Sequence, residues 1–202
     1  HLRGWIYFDR LDYDRATADF EKAIALVPDQ AVFYRDRGNV AFSRQKYDDA
    51  LADYSRSITL DPTYAVAWNL RARTWEAKKQ YANALGDYQK AAQISSTFAD
   101  FQTSLAMLLA ACPDAGIRNG KKALAAAQKG YKLAIGPMEL ATLAATHAEL
   151  GEFDKAVDWQ TKAIAAVPRA ANEQGRPRSS SLACLNLHVC STPDMQRNQF
   201  QQ

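Results

Sequence analysis

The sequence predicts an all-α fold, a solenoid of antiparallel helix pairs, on three observations. A 34-residue unit recurs, apolar residues within each half of it fall three and four positions apart, and proline or Asp-Pro closes it. "YDRATADFEKAIALVP" (13–28) returns as "YDDALADYSRSITLDP" (47–62) and, less closely, as "YANALGDYQKAAQISS" (81–96). Tyr13, Tyr47 and Tyr81 are in register, as are Ala16, Ala50 and Ala84, then Phe20, Tyr54 and Tyr88, then Ala23, Ser57 and Ala91. The preceding halves repeat too: Gly4, Gly38 and Ala72 align, Tyr7, Ala41 and Trp75 follow three residues on, and Tyr34 aligns with Trp68.

Each half reads as a helix. In the first halves Tyr34, Gly38 and Ala41 share a face, and the Asp61-Pro62 turn leads into the next unit. In the second halves Tyr47, Ala50, Leu51, Tyr54 and Ile58 form the apolar stripe, with Asp48, Asp49 and Asp53 toward the positive N-terminal end. Gly38 opposite Ala50 would let the two helices lie close. One such hairpin cannot hide enough apolar surface to fold alone, so neighbouring hairpins must cover it.

The fourth unit departs from the rule. Its first helix is expected from Phe98 to Ala111 with Pro113 as the stop, and Asn119-Gly120 reads as a turn before a second helix from Lys121 to about Ala134. The corner between them is longer than in the earlier units. The fifth unit restores the pattern, with Leu140, Leu143, Ala144 and His147 in one helix, Gly151 and Phe153 at the corner, Ala156, Gln160 and Ala163 in the next, and Pro168 at its end. The expected domains are therefore a repeat region over residues 1–171 and a tail over 172–202. "NEQGRPRSSS" has linker composition, and "LACLNLHVC" (182–190) is a short apolar run. The chain opens inside the first helix of a unit, so residues before His1 are expected.

The combination of a large aromatic, Gly or Ala, a corner Tyr, then Ala, Phe or Tyr, Ala and Pro over 34 residues resembles the tetratricopeptide repeat (TPR) family across residues 1–168. The fourth and fifth units further resemble a variant common in bacterial repeat proteins. The resemblance implies a right-handed superhelix whose first helices line a concave groove for a partner, and it implies no catalytic activity. Arg3, Arg37 and Arg71 stand where many repeats of this family carry leucine, as Leu105 and Leu143 do here. Sixteen residues after each arginine comes Asp19, Asp53 or Asp87, whereas Ala126 and Trp159 occupy the matching places of the leucine units. That covariation predicts an Arg–Asp pair joining the two helices of each of the first three hairpins, with the planar guanidinium gripping a carboxylate by two bonds.

If Gly38 and Ala41 face the hairpin partner, a different stripe faces the groove. It comprises Trp5 and Phe8, then Arg35, Asn39 and Phe42, then Asn69, Arg73 and Glu76, extended by Thr103 and Met107. Amides can satisfy a peptide backbone, aromatics can hold apolar side chains, and arginines can meet an acidic residue or terminal carboxylate. The carboxylate clamp of co-chaperone relatives is matched only in residue type at Arg35 and Asn39, and Val66 and Leu70 depart from it.

Composition narrows the classes. The 202 residues are 48% hydrophobic and carry a net charge of +3, enough for a continuous core and too little positive field to draw in nucleic acid. No membrane-spanning run is present in the sequence. The odd count of three cysteines, with no CxxC pair, reads as thiols of a reducing, cytoplasmic setting, with a Cys184–Cys190 bridge as the alternative. No nucleotide, zinc-protease or nucleophile-elbow motif occurs, and His147 stands in a packing column. No cofactor, metal or catalytic residue is therefore expected. The function expected is a protein-interaction scaffold binding a peptide or partner protein. The alternative is a regulatory or targeting repeat region of a larger enzyme or signalling protein.

Overall fold

A computed structural model describes residues 1–167, and the tail and its apolar run lie outside them. These residues form ten helices: α1 (Leu2–Asp9), α2 (Tyr13–Leu26), α3 (Ala31–Ser43), α4 (Tyr47–Leu60), α5 (Ala65–Ala77), α6 (Tyr81–Ile94), α7 (Ala99–Ala111), α8 (Gly120–Leu133), α9 (Pro137–Glu149) and α10 (Phe153–Ala165). No strand occurs among the described residues. Two compact units result, His1–Ser95 with α1 to α6 and a second beginning at Ser96 with α7 to α10. In each, helices pair in sequence order, and the second helix of one pair packs on the first helix of the next.

The pairs close on an aromatic ring. A Cβ placed on Gly38 would stand 2.7 Å from the Tyr54 ring, and one on Gly4 would stand 2.8 Å from Phe20. The residue filling the space against Gly38 is thus Tyr54, rather than the Ala50 expected from the pattern. Phe20 and Tyr54 are almost wholly buried, so the missing side chain sets how near the two helices lie.

The three arginine–aspartate pairs are formed, each by two bonds. Arg3 Nε and Nη2 donate to Asp19 at 2.6 and 2.7 Å, Arg37 to Asp53 at 2.9 and 2.7 Å, and Arg71 to Asp87 at 2.7 and 2.9 Å. Asp53 therefore answers to Arg37, not to the start of α4 as its sequence position suggested. Arg71 adds a bond from Nη1 to Ser55 Oγ of the preceding hairpin, 3.1 Å long. In the second unit Leu105, Leu143, Ala126 and Trp159 share one apolar cluster with Ala106, Ala127, Leu124 and Tyr131. Salt bridges thirty residues apart, Arg44–Asp14 and Lys78–Asp48, tie successive hairpins of the first unit.

Each ordinary corner uses one left-handed residue. Leu11, Gln45 and Lys79 have φ near +60°, and Gly151 takes φ +75°. At the first corner the Leu11 N–H donates to Phe8 O and the Asp12 N–H to Tyr7 O, both at 2.9 Å, which satisfies carbonyls orphaned at the end of α1. The same two bonds recur at Gln45–Lys46, Lys79–Gln80 and Gly151–Glu152. The long fourth corner is built differently. The Asn119 N–H reaches back to Leu109 O at 2.8 Å, its side chain accepts from the Lys122 N–H, and Arg118 donates to the Cys112 carbonyl at 2.9 Å. Gly120 thus begins α8, one residue before the helix start expected at Lys121.

Two outcomes are expected. A side chain held left-handed costs about 1 kcal/mol, so Gln45→Gly raises the urea midpoint and Gly151→Ala lowers it by a similar free energy. Asp53→Ala costs about 1.5–3 kcal/mol by leaving the Arg37 guanidinium without its acceptor. The double change Arg37→Leu with Asp53→Ala, copying the fourth unit, recovers most of that loss in the same measurement.

Candidate functional site

The residues expected to line a groove lie on α1, α3 and α5 of the first unit, and several of them are braced by neighbouring side chains. On α1, Trp5 and Phe8 are half-buried and meet edge to face, with ring centroids 5.3 Å apart. Arg35 on α3 lies between two rings, its guanidinium carbon 5.8 Å from the Trp5 ring centroid and 5.6 Å from that of Tyr64, which precedes α5. Stacking of this kind holds a guanidinium flat and leaves its edge for a ligand. Arg73 on α5 is exposed and sits 5.6 Å over the ring of Phe42.

Two tyrosines reach the stripe from below. Tyr54 of α4 donates its hydroxyl to Asn39 Oδ1 at 2.9 Å, and Tyr88 of α6 donates to Glu76 Oε2 at 2.8 Å. Burial pushes both phenols above their ordinary range, and the Glu76 carboxylate pushes Tyr88 further. Both therefore remain donors through the physiological range. The Asn39 amide nitrogen carries no bond among the described residues and is left to donate, while Asn69 Oδ1 is buried without a hydrogen-bond partner. Thr103 belongs elsewhere, since it is buried in the second unit and donates to Glu139 at 3.4 Å.

One residue of this site was not expected from the sequence. Asp36, at 1% exposure, accepts from the Trp5 indole N–H at 2.9 Å and meets His1 Nε2 at 2.5 Å through the same Oδ2. Its Oδ1 lies 2.5 Å from Arg35 Nε without the geometry of a hydrogen bond. Burial pushes the Asp36 carboxyl up to about 6, against the pull of Arg35 and of the Trp5 N–H. A signal was available: the same register column holds Leu2, Leu70, Ser104 and Thr142, so Asp36 is its one carboxylate. Tyr54 and Tyr88 were legible as packing rings, whereas the reach of their hydroxyls was not.

Other features carry less. A cleft of about 350 Å³ touches Glu21, Arg37, Arg44, Lys46, Asp49 and Asp53, but its signs balance and its Arg37 and Arg44 already hold Asp53 and Asp14. His147 is buried and bonded through Nδ1 to Glu152 at 2.6 Å, which holds the Glu152 carboxyl below its ordinary range. No group of His, Cys, Asp or Glu among the described residues could hold a metal ion, and no described helix is long and apolar enough to cross a membrane.

Known proteins place the fold. The family model described as "Tetratricopeptide repeat" matches residues 1–65 and 36–99. No curated protein matches the chain. Among solved structures, MamA is similar at 20% identity and TM-score 0.67, over 81% of this chain and 93% of that one. A thermophilic TPR protein of Thermus thermophilus, TTC0263, is 18% identical with TM-score 0.65, over 82% and 89%. YrrB, titled a TPR protein with an unusual peptide-binding site, is 19% identical with TM-score 0.64, over 82% and 84%.

Asp36 has a signed consequence for stability. Its folded value lies above the usual carboxylate range, so the stability it contributes is full below about pH 4 and is lost as pH rises toward 6, by on the order of 2–3 kcal/mol. In urea titrations across that window, Asp36→Asn should remove this fall. An unchanged profile would show that Asp36 titrates as an ordinary carboxyl.

Proposed function

Because this chain belongs to the tetratricopeptide-repeat family, we infer that it is a protein-interaction scaffold whose first unit binds an extended peptide segment of a partner along α1, α3 and α5. The observation that supports this most is the bracing of the stripe. Asn39 and Glu76 are held from beneath by tyrosine hydroxyls, and Arg35 and Arg73 lie against rings. Polar groups fixed in advance lose little entropy when a ligand arrives, which is the usual source of affinity for a flexible peptide.

The chemistry of the stripe sets what fits. Trp5, Phe8 and Phe42 offer ring faces and edges for apolar side chains. Asn39 and Asn69 present amide groups at the spacing of successive first helices, suited to a backbone that has no strand to pair with. Arg35 and Arg73 give two cationic points, and Glu76 supplies the single acidic side chain of the stripe. A partner segment with alternating apolar residues and at least one carboxylate matches this order.

Among the described residues the one carboxylate of the stripe, Glu76, is engaged by the Tyr88 hydroxyl, and Asp36 beside it by Trp5 and Arg35. Binding of a displayed peptide library to the parent should be compared with binding to the triple variant Asn39→Ala, Asn69→Ala, Arg73→Ala. Loss of about 2 kcal/mol or more, roughly thirtyfold in Kd, is expected from three removed polar contacts. Equal enrichment by parent and variant would exclude this stripe as the binding surface.

A further inference from the structure

We propose that Asp36 is an internal competitor for Arg35, so that the groove takes an acidic side chain or terminal carboxylate more tightly once Asp36 is protonated. This rests on the peptide-groove reading above and adds to it the chemistry of one subsite and its control.

The geometry makes Arg35 half-engaged. Its Nε faces the buried Oδ1 of Asp36 at 2.5 Å, whereas its two Nη groups make no hydrogen bond among the described residues. The Trp5 and Tyr64 rings lie 5.8 and 5.6 Å from the guanidinium carbon, and the Arg35 side chain keeps 20% of its surface exposed. A carboxylate of a partner would meet the Nη pair end-on by two bonds, leaving Nε to Asp36, whereas Asp19, Asp53 and Asp87 each take Nε and Nη2 of their arginine side-on. It would also approach Asp36, whose negative charge lies within a few ångströms behind Arg35 and is poorly screened because the residue is buried. Ionised, Asp36 cancels the charge the partner needs. Protonated, it leaves Arg35 a full cation.

Linkage fixes the sign. A ligand carboxylate on Arg35 raises the proton affinity of Asp36, so binding takes up a proton and affinity rises as pH falls, by at most about tenfold per pH unit. Burial already pushes Asp36 up to about 6, which puts the change between about pH 7 and 5.

The other groups facing Asp36 come from four directions. His1 and Trp5 approach from α1, Tyr54 from α4, and Tyr64 from the start of α5, while α2 brings the ring of Phe20 beside His1. A protonated His1 at 2.5 Å would hold Asp36 ionised and so oppose the effect.

The probes are acetyl-Leu-Gly-Glu-Gly-Leu-amide and its glutamine version, titrated into the full chain by calorimetry and by the Trp5 indole N–H resonance. The glutamate peptide is expected to gain about tenfold in affinity between about pH 7 and 5, with uptake of up to about one proton. The glutamine peptide should bind with no such gain. Asp36→Asn should give the low-pH affinity at every pH, and Asp36→Thr, copying Thr142, serves where the amide loosens the α1–α3 seam. His1→Gln should keep the dependence. Persistence of the pH effect in both Asp36 variants, its loss in His1→Gln, or an equal effect with the glutamine peptide would overturn the proposal. Equal, pH-independent binding of both peptides would overturn it while leaving the groove reading intact, and binding of neither would overturn both.

Discussion

The first unit depends on how closely two helices can be brought together and held there. Gly4 and Gly38 supply no side chain, so the rings of Phe20 and Tyr54 lie directly against backbone. Packing alone leaves rotation and sliding along the axis cheap, because a flat ring on a bare helix surface has few ridges to engage. The bidentate Arg–Asp fork at the edge of each hairpin removes that freedom, since two parallel bonds fix distance and angle together. Side chains on the first helices then project in a repeatable direction, which the proposed peptide groove requires.

The second unit shows that the fork is one solution among others. There the arginine column is leucine and the aspartate column is Ala126 and Trp159, and all four join a single apolar cluster. Mixed states are absent among the described hairpins: no arginine faces alanine and no aspartate faces leucine. The energetic reason is the asymmetry of buried charge, where a matched pair and an apolar replacement differ little but a lone ion is expensive. Asp36 is a different case, a carboxylate placed where the column is otherwise uncharged and not fully matched by its arginine.

The helices, their pairing and the fork were legible in the sequence because each has a periodic signature: apolar steps of three and four, a 34-residue return, and two charged columns that change together. The left-handed corners at Leu11, Gln45 and Lys79 were not, since a non-glycine residue gives no local sign of positive φ and only Gly151 carried the usual marker. The proposed binding stripe can be read from the sequence as a set of positions but not as a network. Periodicity locates Asn39 and Glu76, yet says nothing of which buried hydroxyl reaches them. Asp36 breaks a column, but that column is not one of the packing columns whose period marks the fold.

The way the three hairpins of the first unit brace the side chains of their first helices follows from a single atom. Without a Cβ at Gly38, the Tyr54 ring lies against the helix and its hydroxyl meets Asn39, one residue beyond the glycine. Ala72 has the Cβ that Gly38 lacks, at the place where the Tyr54 ring rests, so Tyr88 cannot take the same position. Its hydroxyl instead meets Glu76, the column one turn further along α5. In the first hairpin the ring is Phe20, which has no hydroxyl to give, and the groove residue Trp5 is tethered by Asp36 of the following hairpin. A core choice between hydrogen and methyl, or between phenyl and phenol, thus decides which groove residue is anchored and by what. Variation in the packing columns of such repeats is therefore variation in how the proposed binding stripe is held, even where no surface residue changes.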